Sequence, residues 1–415
     1  EKKEFGDDGS ELITTYQRDS AGRLLVKTLP DGEQVHYAYD GLGRLVSVDD
    51  GQWPLAYRYD LQDRLIEEHQ GWATLRYAYD ALGKLSHCRL PDGSRLDYRH
   101  QPGGALAAIQ LNGQPLTAHQ FTAGGREQFR QQGVLLSEYQ YDEQGRLLAH
   151  RVHQDERRLL QRQYRYDANG NLAGIDDSRK GSKRFHYDPL DRLVAVRGDT
   201  PESFVHDPAG TLLAQSGTTG SGLANVKGNR LLMQGDRHFD YDAFGNLIRE
   251  RRGAGHKLVT EYRYDAQHRL IGATLPDGRQ VHYRYDAFGR RIAKTLDGRT
   301  TEFLWQGERL IAESAPGHYR SYVYEPGTFR PLALLQGEGP QAQPCYYQLD
   351  HLGTPQELTS PGGDILWSVK YRAYGNVAQV EIADIDNPLR FQGQYFDAET
   401  GLHYNRHRYY NPNTG

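Results

Sequence analysis

Residues 37–45 of the chain read YAYDGLGRL, which is an aromatic residue, a Tyr two positions later, an Asp, a turn and Arg-Leu. The pattern aromatic–any–Tyr–Asp occurs nine times between residues 37 and 286. The copies are Tyr37–Asp40, Tyr57–Asp60, Tyr77–Asp80, Tyr139–Asp142, Tyr164–Asp167, Phe185–Asp188, Phe239–Asp242, Tyr262–Asp265 and Tyr283–Asp286. A tandem repeat of this kind defines an architecture, so we interpret the chain as a row of like units.

Each unit has the sequence features of a β-hairpin. Its two aromatic residues are two positions apart, so they point to the same face of an extended strand. The Asp carboxylate can bond the backbone and open a turn, and a Gly such as Gly43 accepts the positive φ that hairpin turns require. Several units end in Leu-Pro-Asp-Gly, as at Leu29–Gly32, where Pro favours a second turn.

The spacing of the units predicts an all-β chain. The second Tyr of the pattern recurs at positions 39, 59 and 79, and two strands of about 5–6 residues with their turns fill each step. Between Tyr187 and Tyr241 the step is longer, because a Gly/Ser/Thr-rich run at Gln215–Gly222 predicts a surface loop. No helical periodicity interrupts the units, so we expect one continuous sheet-like body.

Composition excludes several classes of protein. The chain has 415 residues and a formal net charge of −4 with the two signs interspersed, so it shows no basic surface for nucleic acid. It has no apolar stretch of about 18 residues that would span a membrane. Cys88 and Cys345 lie far apart and form no metal motif or disulfide framework. Because it starts at Glu1 and has one Met, Met233, we expect a piece of a longer protein.

The sequence changes character after about residue 300. A Gly/Pro/Gln-rich segment at Gln336–Pro344 is typical of a connector. Beyond it, residues 346–355 read YYQLDHLGTP and residues 390–395 read RFQGQY. Residues 396–412 then read FDAETGLHYNRHRYYNP. These strings do not belong to the repeat, and they predict two parts, a repeat strip at 1–340 and a distinct end at 341–415.

The repeat and these strings together resemble the RHS/YD-repeat family. The Tyr-Asp repeats alone are shared with animal teneurins and insecticidal toxin-complex subunits. Residues 346–415 are similar to the RHS repeat-associated core, and they favour a bacterial RHS polymorphic toxin. The resemblance implies a strip of hairpins that spirals into a hollow shell, with the core as a plug at one end. Full pairing of strands along such a strip removes exposed edges that favour aggregation.

The resemblance also implies a function and partners. A shell of this family sequesters a C-terminal toxin domain and delivers it to target cells. We expect delivery by type VI secretion in bacterial competition, with a role as shell subunit of a larger, insecticidal toxin complex as the alternative. The expected partners are the chain's own toxin domain, the preceding part of the same parent chain, and secretion spike or adaptor proteins. Synthesis in the bacterial cytoplasm and secretion to target cells follow from the same resemblance.

Self-cleavage is a further activity that the resemblance implies. In the family the core continues to an Asp-Pro-x-Gly-x-x-Gly-Gly motif, where an aspartyl-type reaction severs the toxin, but this sequence stops at Gly415 before that motif. A paired-carboxylate mechanism holds one acid protonated beside its ionised partner. We take Asp397 as a candidate for the upstream carboxylate, with Arg406 and Arg408 as its charge partners. The alternative is that residues 397–401 form a polar turn and the arginines bridge strands.

Other candidate sites favour structural roles, and we expect no cofactor and no metal. His403 and His407 have a ligand spacing only on a helix, and their Tyr-rich surroundings predict a strand or turn. Asp167–Asn171 is similar to part of a calcium loop but lacks the later bidentate Glu. Asp350-His351 has no nearby Ser or Cys that would complete a nucleophile motif.

Two other functions stay open at this point. The Tyr face of the repeats could stack on sugars, which would make the chain an adhesion or carbohydrate-binding module. Two hairpins of 20 residues could also form one blade of a β-propeller. Irregular steps between units and the absence of a signature for each blade count against the propeller. Recurrence of the aromatic residues in every unit favours packing over sugar binding.

Overall fold

The computed structural model describes residues 1–216, 224–227 and 230–414, and within them it confirms the prediction of an all-β chain of tandem hairpins. The predicted loop at Gln215–Gly222 lies outside the described residues from position 217 onward, and its first two residues belong to a strand. Two short 3-10 helices at Ala254–His256 and Gly339–Gln341 interrupt the strands.

The first sheet contains 21 strands, and each pairs antiparallel with the next along the chain. These strands are β1 Lys2–Phe5, β2 Glu11–Arg18, β3 Leu24–Thr28, β4 Gln34–Tyr39, β5 Leu45–Asp49, β6 Leu55–Tyr59, β7 Leu65–Gln70, β8 Ala73–Tyr79, β9 Leu85–Arg89, β10 Arg95–His100, β11 Leu106–Leu111, β12 Gln114–Phe121, β13 Glu127–Gln132, β14 Leu135–Tyr141, β15 Leu147–Gln154, β16 Arg157–Tyr166, β17 Leu172–Asp177, β18 Gly181–Tyr187, β19 Leu193–Arg197, β20 Glu202–His206 and β21 Leu212–Ser216.

The second sheet contains 16 strands in the same arrangement, and a third sheet of three strands follows it. The strands of the second sheet are β22 Ala224–Lys227, β23 Arg230–Gln234, β24 Arg237–Tyr241, β25 Leu247–Arg252, β26 Leu258–Tyr264, β27 Leu270–Thr274, β28 Gln280–Tyr285, β29 Arg291–Leu296, β30 Arg299–Gln306, β31 Arg309–Ala315, β32 His318–Tyr324, β33 Pro331–Gln336, β34 Gln343–Leu349, β35 Pro355–Thr359, β36 Ile365–Tyr371 and β37 Val377–Ala383. The third sheet consists of β38 Tyr395–Asp397, β39 Leu402–Asn405 and β40 Arg408–Tyr410.

The Asp of each repeat organises its turn. Asp40 Oδ1 accepts hydrogen bonds from the backbone N–H groups of Leu42 at 2.9 Å and Arg44 at 3.0 Å. The Gly43 N–H donates to the Asp40 carbonyl, and Gly43 has a φ of +81°, which a residue with a Cβ rarely adopts. The ladder shifts register by one residue beside Tyr39, as in a bulged hairpin.

The Arg after each turn joins one hairpin to the next. Arg44 Nε donates to Asp40 at 2.7 Å, and the Arg44 guanidinium carbon lies 5.1 Å from the ring centre of Tyr59 in the next unit. Tyr59 in turn donates its hydroxyl to the Leu45 carbonyl at 2.9 Å. The same stacking recurs in the pairs Arg23–Tyr39, Arg64–Tyr79, Arg126–Tyr141, Arg146–Tyr166 and Arg269–Tyr285. At Arg44, pairing with the Asp of its own turn and stacking on the Tyr of the next unit together join two hairpins.

The second sheet packs along the first, and the chain advances in the same direction along both sheets. Residues further along the first sheet contact residues further along the second sheet, as in successive turns of a spiral. In order along the first sheet they are Asp7 with Arg230, Glu68 with Arg290, Gln70 with Trp305, Gln132 with Leu332, Lys180 with Val369 and Asp199 with Lys370. The chain therefore packs its own later hairpins against its earlier ones.

The middle of the second sheet lies between two apolar layers. On β30, Leu304 belongs to a core shared with the first sheet, whereas Phe303 and Trp305 belong to a core shared with the third sheet. This alternation follows from the period of two in a strand. The second sheet continues without a break across position 340 to Ala383. The third sheet therefore packs on the face of the second sheet that is opposite the first sheet.

Candidate functional site

Asp397 ends β38 and points into the interface between the second and third sheets. The side chain is fully buried, like that of Tyr395 two positions earlier on the same face of the strand. The turn after it is closed by the Gly401 N–H, which donates to the Asp397 carbonyl at 2.8 Å, with Gly401 at a φ of +72°. The string that resembles the family core thus places a carboxylate inside the protein.

Arg291 is the cation that pairs with this carboxylate. Arg291 Nη1 donates to Asp397 Oδ2 at 2.5 Å, and Lys294 Nζ lies 3.5 Å from Asp397 Oδ1. Lys294 also donates to Glu399 at 3.0 Å. Five aromatic rings surround the Arg291 guanidinium at 4.4 to 5.9 Å from its central carbon, and they are those of Tyr283, Phe303, Tyr395, Tyr404 and Tyr409.

Two cations, Arg291 and Lys294, lie beside the Asp397 carboxyl group. Burial lowers the pKa of Arg291, but the Asp397 carboxylate outweighs it, so that this pKa lies above its ordinary value. Burial, and next the Asp397 charge, raise the pKa of Tyr283, which therefore stays neutral. Asp397 Oδ1 accepts no hydrogen bond from any described residue. The site therefore presents a buried carboxyl group with one oxygen that can still accept a hydrogen bond.

The structure does not bring Arg406 or Arg408 to Asp397. Arg406 Nη2 donates to Glu308 Oε1 at 3.1 Å, and this bond lowers the pKa of Glu308. Arg408 is exposed on β40. The charge partners of Asp397 are therefore Arg291 and Lys294, in place of the expected Arg406 and Arg408. The reason is that β38 packs across β29, which carries Arg291 and Lys294.

A sequence signal for Arg291 does exist. In the eight other copies of the repeat, the position after the turn's Arg, Lys or Asn is Leu, as at Leu45 and Leu270. The copy that ends at Asp286 has Arg290 followed by Arg291 instead. A charged residue at a position that is otherwise apolar indicates a buried charge partner elsewhere in the chain.

The other predicted sites have structural roles in this fold. His403 is buried with its Nδ1 2.7 Å from Gln394 Oε1, and burial lowers its pKa to about 3. Asp167 and Asp350 are turn residues that accept backbone N–H bonds from Asn171 and Thr354. Among the described residues, no group of three His, Cys, Asp or Glu side chains could hold a metal ion.

A second buried ionic cluster, which the sequence did not indicate, joins the first and second sheets. Arg162 forms ion pairs with Glu357 and with Asp177, the latter at 2.8 Å, and Lys180 Nζ lies 2.8 Å from Glu357 Oε1. Burial raises the pKa of Glu357, but the charges of Arg162 and Lys180 outweigh it and lower that pKa to about 2. These groups hold β16 and the turn between β17 and β18 of one sheet against β35 of the other.

Comparison with known families finds three matches. The family described as the teneurin YD-shell matches residues 126–305, the RHS repeat matches residues 18–52, and the RHS protein family matches residues 345–381. Together they take up more than half of the chain. In the described part of the chain, we find no helix that is long and apolar enough to cross a membrane.

Similar curated proteins are bacterial toxins. The chain is 34% identical to the double-stranded DNA deaminase toxin A of Burkholderia cenocepacia, over 97% of the chain and 30% of that protein. It is 31% identical to the toxin protein Tse5 of Pseudomonas aeruginosa, over 97% of the chain and 35% of that protein. The chain thus spans about a third of the length of these relatives.

A solved structure shares the fold. The Tc holotoxin pore of Photorhabdus luminescens superposes with a TM-score of 0.78 at 18% identity, over all of this chain and 25% of that one. The complex of TcdB2, TccC3 and Cdc42 superposes with a TM-score of 0.73 at 17% identity, over 98% of this chain. The arrangement of hairpins described above is therefore that of a known class of repeat protein.

Proposed function

Because the chain belongs to the RHS/YD-repeat family, we propose that it forms part of a β-sheet shell that encloses a toxin domain of the same parent protein. The observation that carries this proposal is that the second sheet packs along the first, with the chain advancing in the same direction along both. A strip of hairpins that curls back and packs on its own earlier strands curves around a volume. The toxin relatives, which are about three times as long as the chain, support a cargo elsewhere in the parent protein.

The same contacts explain how such a wall would resist opening. In several units, as at Arg44, an Arg binds the Asp of its own turn and stacks on the Tyr of the next unit. Ion pairs between the sheets, such as Glu68 with Arg290 and Arg162 with Glu357, are buried, where water screens them little. Opening the wall would therefore expose unpaired charges as well as apolar surface.

A protection experiment tests enclosure. The full-length parent protein is purified natively and treated with a broad-specificity protease, before and after denaturation, and fragments are identified by mass. Enclosure predicts that the toxin domain resists cleavage in the native protein and is digested once the shell is unfolded. Rapid digestion of the toxin domain in the native protein would contradict the proposal.

Asp397 is, in this proposal, the carboxylate of a self-cleavage reaction that releases the toxin domain inside the shell. Its Oδ2 is held by Arg291, and its Oδ1 is free to accept a proton. A second, protonated carboxyl group would have to come from the rest of the parent protein, as in paired-acid hydrolysis. Arg291 would then position the ionised acid without taking part in proton transfer.

Denaturing intact mass of the full-length protein tests this role. The wild type is expected to give two masses, whereas Asp397→Asn gives one mass of the uncut chain. Arg408→Gln is the matched control, since Arg408 is exposed and away from Asp397, and it is expected to cleave like the wild type. Full cleavage of a folded Asp397→Asn protein would remove Asp397 from the reaction.

Delivery is proposed from the family alone. The parent protein would be made in the bacterial cytoplasm and carried to target cells by the type VI secretion machinery, with spike or adaptor proteins as partners. Secretion assays in a strain without a functional type VI apparatus check this route. Unchanged export from that strain would contradict it and favour export with a toxin complex.

A further inference from the structure

A cavity lies where the end of the first sheet meets the second sheet and the C-terminal segment. Its volume is about 460 Å³, which falls in the range of ligand sites. One side is formed by β16 to β19, and the other by the turns at residues 350–354 and 371–375 together with Phe391 and Tyr410. The cavity is separate from the Asp397 cluster, because Asp397, Arg291 and Lys294 do not line it.

The walls are mainly apolar and aromatic. Phe185, Tyr187 and Val196 line the side of the first sheet, and Tyr374 and Tyr410 line the opposite side. Aromatic rings on two facing walls favour a flat apolar group between them.

Three buried polar atoms on this lining have no hydrogen-bond partner among the described residues. They are the hydroxyl groups of Tyr164 and Tyr371 and Nδ1 of His351. Tyr164 is 2% exposed and Tyr371 is 8% exposed. Most buried polar groups in proteins are hydrogen-bonded. Three unpaired polar atoms on the lining of one cavity therefore indicate that a bound ligand supplies their hydrogen-bond partners. Burial lowers the pKa of His351, so its ring is neutral at pH 7 and offers one donor and one acceptor.

The cavity also contains a cation that is not matched by a carboxylate. Lys183 Nζ donates to the Tyr371 carbonyl at 2.5 Å, which uses one of its three N–H bonds. Lys180 differs, because it bonds to two backbone carbonyls and pairs with Glu357. Burial lowers the pKa of Lys183, the Glu202 carboxylate raises it, and the charges of Lys180, Lys370 and Arg372 also lower it. An anion close to Lys183 would be stabilised.

We propose that this cavity binds a carboxylate attached to a flat apolar group. The rings of Phe185, Tyr187 and Tyr410 would enclose the apolar part, and Lys183 with the two tyrosine hydroxyls would bind the carboxylate. The same chemistry is found in a free aromatic acid and in a peptide segment that carries an acidic and an aromatic residue. The proposal concerns only this cavity and does not depend on whether the shell encloses a toxin.

Titration of the full-length protein with 2-naphthoate, followed by calorimetry or ligand-observed NMR, tests a free ligand. Lys183→Met and Tyr164→Phe are expected to raise the Kd by about tenfold or more, and 2-naphthamide, which lacks the charge, is expected to bind weakly to all forms. Tyr262→Phe is the matched control, because Tyr262 is buried at the same repeat position as Tyr164 and lies outside the cavity. It is expected to leave the Kd unchanged.

Photo-crosslinking tests the second source. The full-length protein is made with p-benzoylphenylalanine in place of Tyr187, irradiated, digested and analysed by mass spectrometry. A crosslink to a segment outside residues 1–414 shows that the cavity holds a peptide of the parent protein, in which case 2-naphthoate does not bind. Binding of 2-naphthoate without a crosslink shows a site for a free acid. Neither a crosslink nor binding, or binding that Lys183→Met leaves unchanged, would overturn the proposal.

Discussion

Arg291 and Asp397 are 106 positions apart in sequence, yet their side chains form a fully buried ion pair with Nη1 and Oδ2 2.5 Å apart. Arg291 lies on a strand of the repeat, and Asp397 lies in the C-terminal segment. The pair therefore joins the two parts of the chain. Both side chains are desolvated, so removing Asp397 leaves Arg291 without its ion pair, and removing Arg291 leaves Asp397 with Lys294 at 3.5 Å.

Replacing Arg291 with Leu restores the residue of the other repeats and tests this coupling. We expect Arg291→Leu to lower the free energy of unfolding by about 3 kcal/mol, since it removes the hydrogen-bonded partner of buried Asp397 and leaves only Lys294, at 3.5 Å, as its ion-pair partner among the described residues. Adding Asp397→Asn should recover part of that loss. Urea unfolding of the two single variants and the double variant measures the coupling, and additive effects would contradict it.

The stacked Arg of the repeat is tested by Arg269→Lys. Arg269 donates to Asp265 at 2.6 Å and to the Asp286 carbonyl at 3.2 Å while it lies over Tyr285. Lys cannot form this planar fork, so we expect a loss of about 1 kcal/mol in urea unfolding. Arg279→Lys is the control, because Arg279 forms its ion pair within its own turn, with Asp277, and no measurable change is expected there. Equal effects of the two would contradict a link between units.

Packing of the second sheet on the first is tested at Gly133. A Cβ at Gly133 would lie 2.5 Å from the Pro361 carbonyl oxygen, which belongs to the second sheet's turn. Gly307 has the same φ of +56°, and no described atom lies within 4 Å of a Cβ built on it. Both substitutions by Ala strain the backbone, but Gly133→Ala is expected to cost about 1–3 kcal/mol more in urea unfolding, because it also pushes the sheets apart. Equal losses would contradict the contact.

The Glu357 cluster predicts a pH dependence of stability. The pKa of Glu357 is lowered to about 2, below its ordinary value, so the folded state gains from its charge above that ordinary value and loses the gain as pH falls towards 2. Glu357→Gln is therefore expected to lower stability by about 3 kcal/mol at pH 7 and by progressively less below pH 4. Urea unfolding at pH 7, 4 and 3 measures this, with the exposed Glu33→Gln as a control. A difference that does not change with pH would contradict the assignment.

Local features of the sequence were enough to predict the hairpins. The spacing of aromatic residues, the Asp that opens each turn and the Gly that accepts a positive φ act over a few residues, as Tyr39, Asp40 and Gly43 show. Pairing of the turn's Arg with Asp is equally local. The stack of Arg44 on Tyr59 joins neighbouring units, and the repeat alone did not indicate it.

Contacts between distant strands could not be predicted in the same way. The sequence around Asp397 indicated this residue as a candidate. Its pairing with Arg291 depends on how the C-terminal segment crosses β29. Arg406 was expected beside Asp397 because it is near in sequence, yet it lies in the turn between β39 and β40, where it binds Glu308. The pairing of Arg162 with Glu357 depends on which hairpin of the second sheet meets β16, and no single repeat encodes that.

The most direct measurement of the central proposal is a cryo-electron microscopy map of the full-length parent protein. Our account predicts that the sheets of residues 1–383 continue into a closed wall around a cavity, with density for the toxin domain inside it. The third sheet should lie on the face of the second sheet that is opposite the first. A map in which the repeat strip is open and the toxin domain lies outside it would contradict the account.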